Sequence, residues 1–225
     1  MYIKDLHPWN ITSSEATQVQ NQLRNQVVDE DDLDEVQFVA GMDIGFKDNL
    51  ARASIVVLRH SDLEPVDLAV AETTVSFPYV PGLLSFRETP LLLEAARKLR
   101  IEPDLIIADG HGLAHPRRFG VACHLGLILD KPAIGCAKSR LCGTYNEPGN
   151  RKGASAYIRD RGEIIGAVLR SRSNVSVVYV SVGYRVSLET AIELTLSCCK
   201  QYRTPETTRY AHKAASGESI SLVQN

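Results

Sequence analysis

The chain has 225 residues, 44% of them hydrophobic and 23% charged, which is ordinary for a globular protein with room for a sizeable core. Its 25 basic and 27 acidic residues leave a formal net charge of −2, so a global basic footprint for nucleic acid is missing and any such binding needs local clusters of Lys and Arg. The five cysteines are odd in number, none forms C-x-x-C and two are adjacent, which argues against a disulfide framework and a structural zinc site and for free thiols in a reducing cytoplasm. No signal peptide opens the sequence and no apolar run approaches spanning length, so the expectation is a cytoplasmic protein without a membrane partner.

Thr12-Ser13-Ser14-Glu15 reads as a capping box, and Ala16, Val19, Leu23 and Val27 follow at helical spacing, predicting an amphipathic helix over 13–28. The acidic run 29–35 reads as a solvated linker. Strands are predicted over 36–46, 52–59 and 66–77; the short turns between them, the first at 47–49, imply an antiparallel meander. Phe77-Pro78-Tyr79-Val80-Pro81-Gly82 is a stiff loop with an aromatic held between prolines. A helix over 85–99 follows, with Glu88 in its first turn, where a carboxylate complementing the helix dipole is the plain alternative to a functional role. Next comes a buried strand over 104–109, then a helix from Pro116 to about Leu129, a strand over 132–137 ending at Lys138, and a loop over 142–153. Strands over 164–169 and 177–182 and helices over 187–199 and from 204 through His212 complete the chain, with 217–225 reading as a frayed tail. The whole is expected to form one domain, 1–225, with 1–35 as an N-terminal helix and linker.

A meander followed by alternating helix and strand defines a mixed α/β sheet, in which the right-handed crossover rule allows the Asp109 strand to lie parallel beside the first. That places Asp43 and Asp109 side by side at one sheet edge, where ligand sites of open α/β sheets form. Two adjacent buried carboxylates repel, and a hard divalent cation, Mg²⁺ or Mn²⁺, removes the conflict. A lone turn-capping Asp is common; two that converge point to chemistry.

The motifs Gly41-Met42-Asp43, Pro78-Tyr79-Val80-Pro81-Gly82, Ser85-Phe86-Arg87-Glu88, Asp109-Gly110-His111-Gly112 with His115-Pro116-Arg117, and Gly135-Cys136-Ala137-Lys138-Ser139 occur in family order across roughly 36–215. Together they resemble endonuclease V, the repair nuclease acting at deoxyinosine; Val80, where the family often has Ile, and the acidic linker are the departures. The resemblance implies a ribonuclease-H-like fold: a mixed sheet of a three-strand antiparallel meander plus parallel strands flanked by helices. It implies metal binding by Asp43, Asp109 and Glu88, with His115 positioning or deprotonating water and Lys138 stabilising phosphorane charge. Loop-histidine and surface-lysine readings are the plain alternatives for the last two.

The resemblance further implies Tyr79 as a wedge filling the gap left by an extruded base. Main-chain groups at Gly82, Leu84, Gly110 and Gly112 would read hypoxanthine, under a lid from Leu141. Arg87, Arg117, Arg118, Arg140, Arg151, Lys152 and the Arg209-His212-Lys213 group are candidate phosphate contacts, with His212 facing either the site or DNA. The implied activity is Mg²⁺-dependent cleavage at the second phosphodiester bond 3′ to deoxyinosine in DNA containing deaminated bases, by a monomer. An inosine-specific endoribonuclease and, less favoured, a non-catalytic lesion-binding protein remain open alternatives.

Overall fold

A computed structural model of the chain describes residues 1–47, 50–74 and 77–223. Its frame is an eight-stranded sheet in the order β3-β2-β1-β4-β5-β8-β7-β6. The meander is β1 (Phe38–Lys47), β2 (Leu50–Arg59) and β3 (Pro65–Thr74). Both of its pairings are antiparallel, as expected, with residues 48 and 49 of the predicted turn and residues 75 and 76 of the predicted third strand outside the described residues. Strands β4 (Leu105–Ala108) and β5 (Ala133–Ala137) extend the sheet in parallel with β1. Strands β6 (Ser155–Asp160), β7 (Glu163–Leu169) and β8 (Val178–Tyr184) close it with antiparallel pairs.

Side chains alternate across the sheet, and each face is covered. On one face Ala40, Met42, Ile106 and Ala133 pack against α2 (Leu84–Ala96) and α3 (Val121–Leu129). On the other Val39, Leu105, Ile107, Ile134 and Cys136 meet α4 (Leu188–Ser197) and α5 (Glu206–Ala215). Four of the five cysteines are buried and all are free, in accord with the sequence. Among the described residues no helix is long and apolar enough to cross a membrane.

Helix α1 (Ser13–Leu23) carries the full capping box and runs on as a 3₁₀ turn over Arg24–Gln26, which ends it short of residue 28. The predicted helix from Pro116 starts instead at Val121, because 116–120 forms a turn with Arg118 at φ 56°. Strand β6 had no counterpart in the sequence pattern: it is an edge strand with only Ile158 buried, so it lacks an apolar run. The acidic run is not merely solvated. The Asp31 carboxylate accepts from the Ser187 N–H at 2.6 Å and from the Thr190 hydroxyl at 2.7 Å, satisfying the α4 N-terminus, and Asp32 pairs with Arg185 at 3.2 Å. Nor is the tail wholly frayed, since Ile220 packs on the core and the Val223 N–H donates to the Pro65 carbonyl at 2.8 Å.

Candidate active site

Register puts three predicted residues in a row. On β1, residues 39, 41 and 43 share a face; on β4 and its continuation, 105, 107 and 109; on β5 and its continuation, 134, 136 and 138. Val39, Leu105, Ile107, Ile134 and Cys136 all lie in the core beneath α4 and α5. Asp43, Asp109 and Lys138 are therefore the polar ends of three neighbouring apolar columns. The Asp109 N–H donates to the Met42 carbonyl at 3.2 Å, extending the parallel ladder until the two aspartates stand side by side.

The local field is that of crowded carboxylates. Burial, and then the charge of Asp109, raises the pKa of Asp43. Glu88, in the first turns of α2, is pushed up to about 8 by burial and then by Asp43 and Asp109. Two groups face these carboxylates: the Lys138 ammonium, whose Nζ lies 2.5 Å from Asp109 Oδ2, and the His212 ring on α5, whose Nδ1 lies 2.8 Å from Asp43 Oδ2. His212 is thus placed against the acidic cluster, one of the two positions the sequence left open.

Helix α5 can reach Asp43 because β1 has no side chain beneath it at Gly41, where a Cβ would overlap the Thr207 carbonyl. The Ser54 hydroxyl donates to the Ala211 carbonyl at 2.5 Å and Arg52 Nε to that of Ala214 at 3.1 Å, fixing the same helix.

Beside the carboxylates lies a cavity of about 260 Å³ whose lining includes Tyr79, Gly82, Leu84, Gly110, His115 and Leu141. Tyr79 stands 71% exposed on its rim. Gly112 is not there. Its N–H donates to Ser181 Oγ at 2.9 Å, and a Cβ would overlap the Val182 carbonyl, so this glycine serves close packing on β8. Arg87 is also turned away: its guanidinium donates to the Phe77 carbonyl at 2.7 Å and sits 4.8 Å from the Phe46 ring centre, bracing the base of the Tyr79 loop.

The Gly82 carbonyl accepts from Gln20 Nε2 at 3.0 Å, His115 Nε2 at 3.0 Å and Arg117 at 2.7 Å. It is fully occupied, so Gly82 does not offer its carbonyl to a base, contrary to the sequence expectation. Its φ of 80° belongs to the left-handed region, and a Cβ there would meet the Arg117 guanidinium at 2.7 Å. The Arg117 N–H donates to His115 Nδ1 at 3.1 Å, which leaves the proton on Nε2 and both ring nitrogens engaged. Burial, and then Arg117, lowers the His115 pKa to about 4. In this arrangement His115 holds the Gly82 turn and has no free nitrogen to take a proton from water.

Several other expected phosphate contacts also prove structural. Arg118 pairs with Asp160 and Glu163, both at 2.8 Å, Arg209 pairs with Glu206, and Lys152 Nζ donates to the Cys199 carbonyl at 2.9 Å. Conversely, Gln20 is buried at this site, and its sole mark in the sequence is a polar residue among the apolar Ala16, Val19 and Leu23 of a helix. The His111 side chain, unmarked by the motif it belongs to, also builds the site: its Nε2 donates to the Ser139 carbonyl at 3.0 Å and joins two walls of the cavity.

The model of the family described as Endonuclease V matches residues 21–213. The chain belongs to the Endonuclease V family. It is 51% identical over 210 residues to Endonuclease V of Roseiflexus castenholzii, covering 93% of this chain and 95% of that protein. The crystal structure of Endonuclease V from Streptomyces avermitilis superposes with a TM-score of 0.89 at 40% identity, over 96% of this chain and 97% of that one. The Ciona intestinalis Endonuclease V structure, in complex with a 24mer DNA containing an inosine followed by a ribo-adenosine, gives a TM-score of 0.79 at 26% identity, over 91% and 96%. The mixed sheet flanked by helices is thus the ribonuclease-H-like fold that the motifs implied, and the Endonuclease V resemblance read from them holds along nearly the whole chain.

Proposed function

We propose that this Endonuclease V-family chain is a DNA repair endonuclease that hydrolyses the second phosphodiester bond 3′ to deoxyinosine, with Mg²⁺, or Mn²⁺ in its place, held by Asp43, Asp109 and Glu88. One observation carries the reading: carboxylates from β1, the end of β4 and α2 crowd together, and burial with this crowding raises the pKa values of Asp43 and Glu88, beside a cavity rimmed by an exposed tyrosine. The donor set fits a hard cation, being all oxygen and anionic, and the raised pKa values mark a site short of positive charge. As folded here, the Lys138 ammonium supplies positive charge beside Asp109 and the His212 ring sits against Asp43, and among the described residues no three His, Cys, Asp or Glu groups close on one point as a metal cage. A bound cation would draw in the scissile phosphate, lower the pKa of the attacking water and neutralise the leaving oxygen.

The protein's own groups do the rest. Lys138, released from Asp109, places its ammonium on the phosphate as charge builds in the transition state. His212 keeps Asp43 oriented through Nδ1. Tyr79, stiffened by Pro78 and Pro81, fills the space of an extruded base at small entropic cost. Main-chain groups about Leu84 and Gly110 face the base in the cavity, with Leu141 over it. A base with the wrong donor and acceptor pattern leaves buried groups unpaired there, which gives selectivity.

The test is nicking of an inosine-containing duplex in Mg²⁺ with and without chelator, beside Asp43→Ala. Cleavage by the wild type alone, lost in chelator, is expected; full activity in the variant would overturn the metal assignment. The Ciona ligand carries a ribonucleotide directly after the inosine. That favours an inosine-directed endoribonuclease as the second reading, and matched RNA and DNA strands in the same assay separate the two.

A further inference from the structure

Across the segment 138–141 from the base cavity lies a second, larger depression of about 700 Å³. Ser139 and Arg140 line both. The walls of this trough are built around Arg170, a buried arginine whose guanidinium donates to the carbonyls of Gly149, Pro148 and Val175 and pairs with Glu147 at 2.6 Å. That pairing accounts for the trough's acidic residue. Arg203 also lines it, donating to the carbonyls of Val177 and Lys138.

Among the described residues neither Arg140 nor Arg203 has a carboxylate partner, so two guanidinium charges remain uncompensated here in a chain whose formal net charge is −2. Aromatic surface lies beside them. The Tyr145 and Tyr179 hydroxyls are hydrogen-bonded at 2.9 Å, and the Arg140 guanidinium is 5.9 Å from the Tyr145 ring centre. Unpaired arginines, half-buried tyrosine rings and the amides of Asn150 and Asn174 suit a ligand with regularly spaced anions and flat faces.

We propose that this trough is a binding site for the single-stranded stretch of substrate flanking the inosine, with phosphates on Arg140 and Arg203 and a base against Tyr145. The assignment rests on the nuclease reading and extends it beyond the catalytic cluster and base cavity. Continuity argues for this occupant: the trough meets the base cavity at Ser139 and Arg140, and one wall carries Lys138, whose ammonium touches Asp109. A strand lying in it stays within reach of the carboxylates.

The test uses Ser176→Glu, which sets a carboxylate on an exposed trough wall, and Tyr145→Leu, which removes the aromatic face. Ser61→Glu, in the exposed β2–β3 turn at the opposite end of the sheet, is the charge control. Inosine strands are compared in three forms: short, extended 5′ and extended 3′. The wild type and control should favour one extended strand, and both trough variants should raise KM for that strand about tenfold, with KM for the short strand unchanged and kcat within about twofold. In Ser176→Glu the salt dependence of binding should flatten as well. Equal effects on short and extended strands, or none, overturn the proposal. Binding of a lesion-free single strand, followed by fluorescence anisotropy, keeps the two readings apart. Trough variants that weaken this binding support the site even where no cleavage at inosine is found, and unchanged binding by a cleaving enzyme removes the site while leaving the nuclease standing. Melting temperatures confirm that each variant is folded.

Discussion

The side-chain amide of Gln20 donates to the carbonyl of Gly82 at 3.0 Å and to that of Phe119 at 2.9 Å, so the N-terminal helix fixes one wall of the base cavity. Gln20 Oε1 in turn accepts from Arg117 Nε at 2.5 Å, which ties the helix to the other donors on the same glycine. In Gln20→Leu the Phe119 carbonyl stays buried without this donor and the Gly82 turn loosens. The expected stability loss is about 1–3 kcal/mol, the usual range for stranding a buried polar group. The preference for inosine over adenine should fall about tenfold through KM, with kcat on inosine nearly unchanged. A purely structural role would lower the melting temperature and leave that preference intact.

The gap between Gln20 and the residues legible in the sequence has a physical basis. Asp43 and Asp109 announce themselves because each puts a charge on a buried apolar run, whereas Lys138 took its role from the motif resemblance; for the two aspartates no resemblance is needed. Short-range pattern plus the crossover rule therefore suffices to bring them together. Glu88, Tyr79 and Leu141 needed motif resemblance, since nothing in a helix turn or loop states what it faces. Gln20, and the engagement of both His115 nitrogens, depend on contacts between residues as many as 99 positions apart, such as Gln20 with Phe119, which no local period encodes. Gly112 reads from sequence as a glycine near a ligand, yet the close approach it permits is to β8. Strand β6 escapes because an edge strand with one buried side chain has no apolar signature.

Glu88 gives a pH dependence with a definite sign. Its folded pKa, about 8, lies above the ordinary glutamate value of 4.5, so the folded state keeps a proton that the unfolded chain has released. The stability this contributes is full below the unfolded value and is lost as pH rises through about 8. In chelator the melting temperature should therefore fall between about pH 5 and 8.5. Glu88→Gln, neutral throughout, should flatten that fall, melt several degrees above the wild type at the upper end and lose nicking activity. Added Mg²⁺ should raise the wild-type melting temperature most at high pH, where the proton no longer competes. Parallel melting curves for the two proteins across the range would remove Glu88 from the cluster.

Gly41 sets the height of α5 over the sheet, and through it the Asp43–His212 contact. Gly41→Ala forces the helix outward from the Thr207 carbonyl, with an expected cost of about 1–3 kcal/mol for overpacking. Nicking should fall further than the loss of folded protein explains, because His212 leaves Asp43. His212→Ala separates the two effects: it should lower kcat with little change in melting temperature, since the His212 side chain is 62% exposed. Comparable activity per folded molecule in Gly41→Ala and wild type would show that the helix position does not matter to the chemistry.

Tyr79 makes the opposite prediction, a residue that stability ignores and substrate does not. At 71% exposure its ring is not part of the core, so Tyr79→Ala should melt with the wild type. Stacking on a neighbouring base is worth about 1–3 kcal/mol, so lesion-dependent DNA binding should weaken roughly tenfold or more. The rate at saturating inosine substrate should change much less, because the carboxylates and Lys138 are untouched. Tyr79→Trp should restore binding, since the wedge needs a flat ring and not the hydroxyl, whereas Tyr79→Leu should restore only part. Gel shifts on inosine and undamaged duplexes read the outcome. Equal binding by wild type and Tyr79→Ala would mean that the stiff loop shields the cavity mouth and that base extrusion is driven from elsewhere in the site.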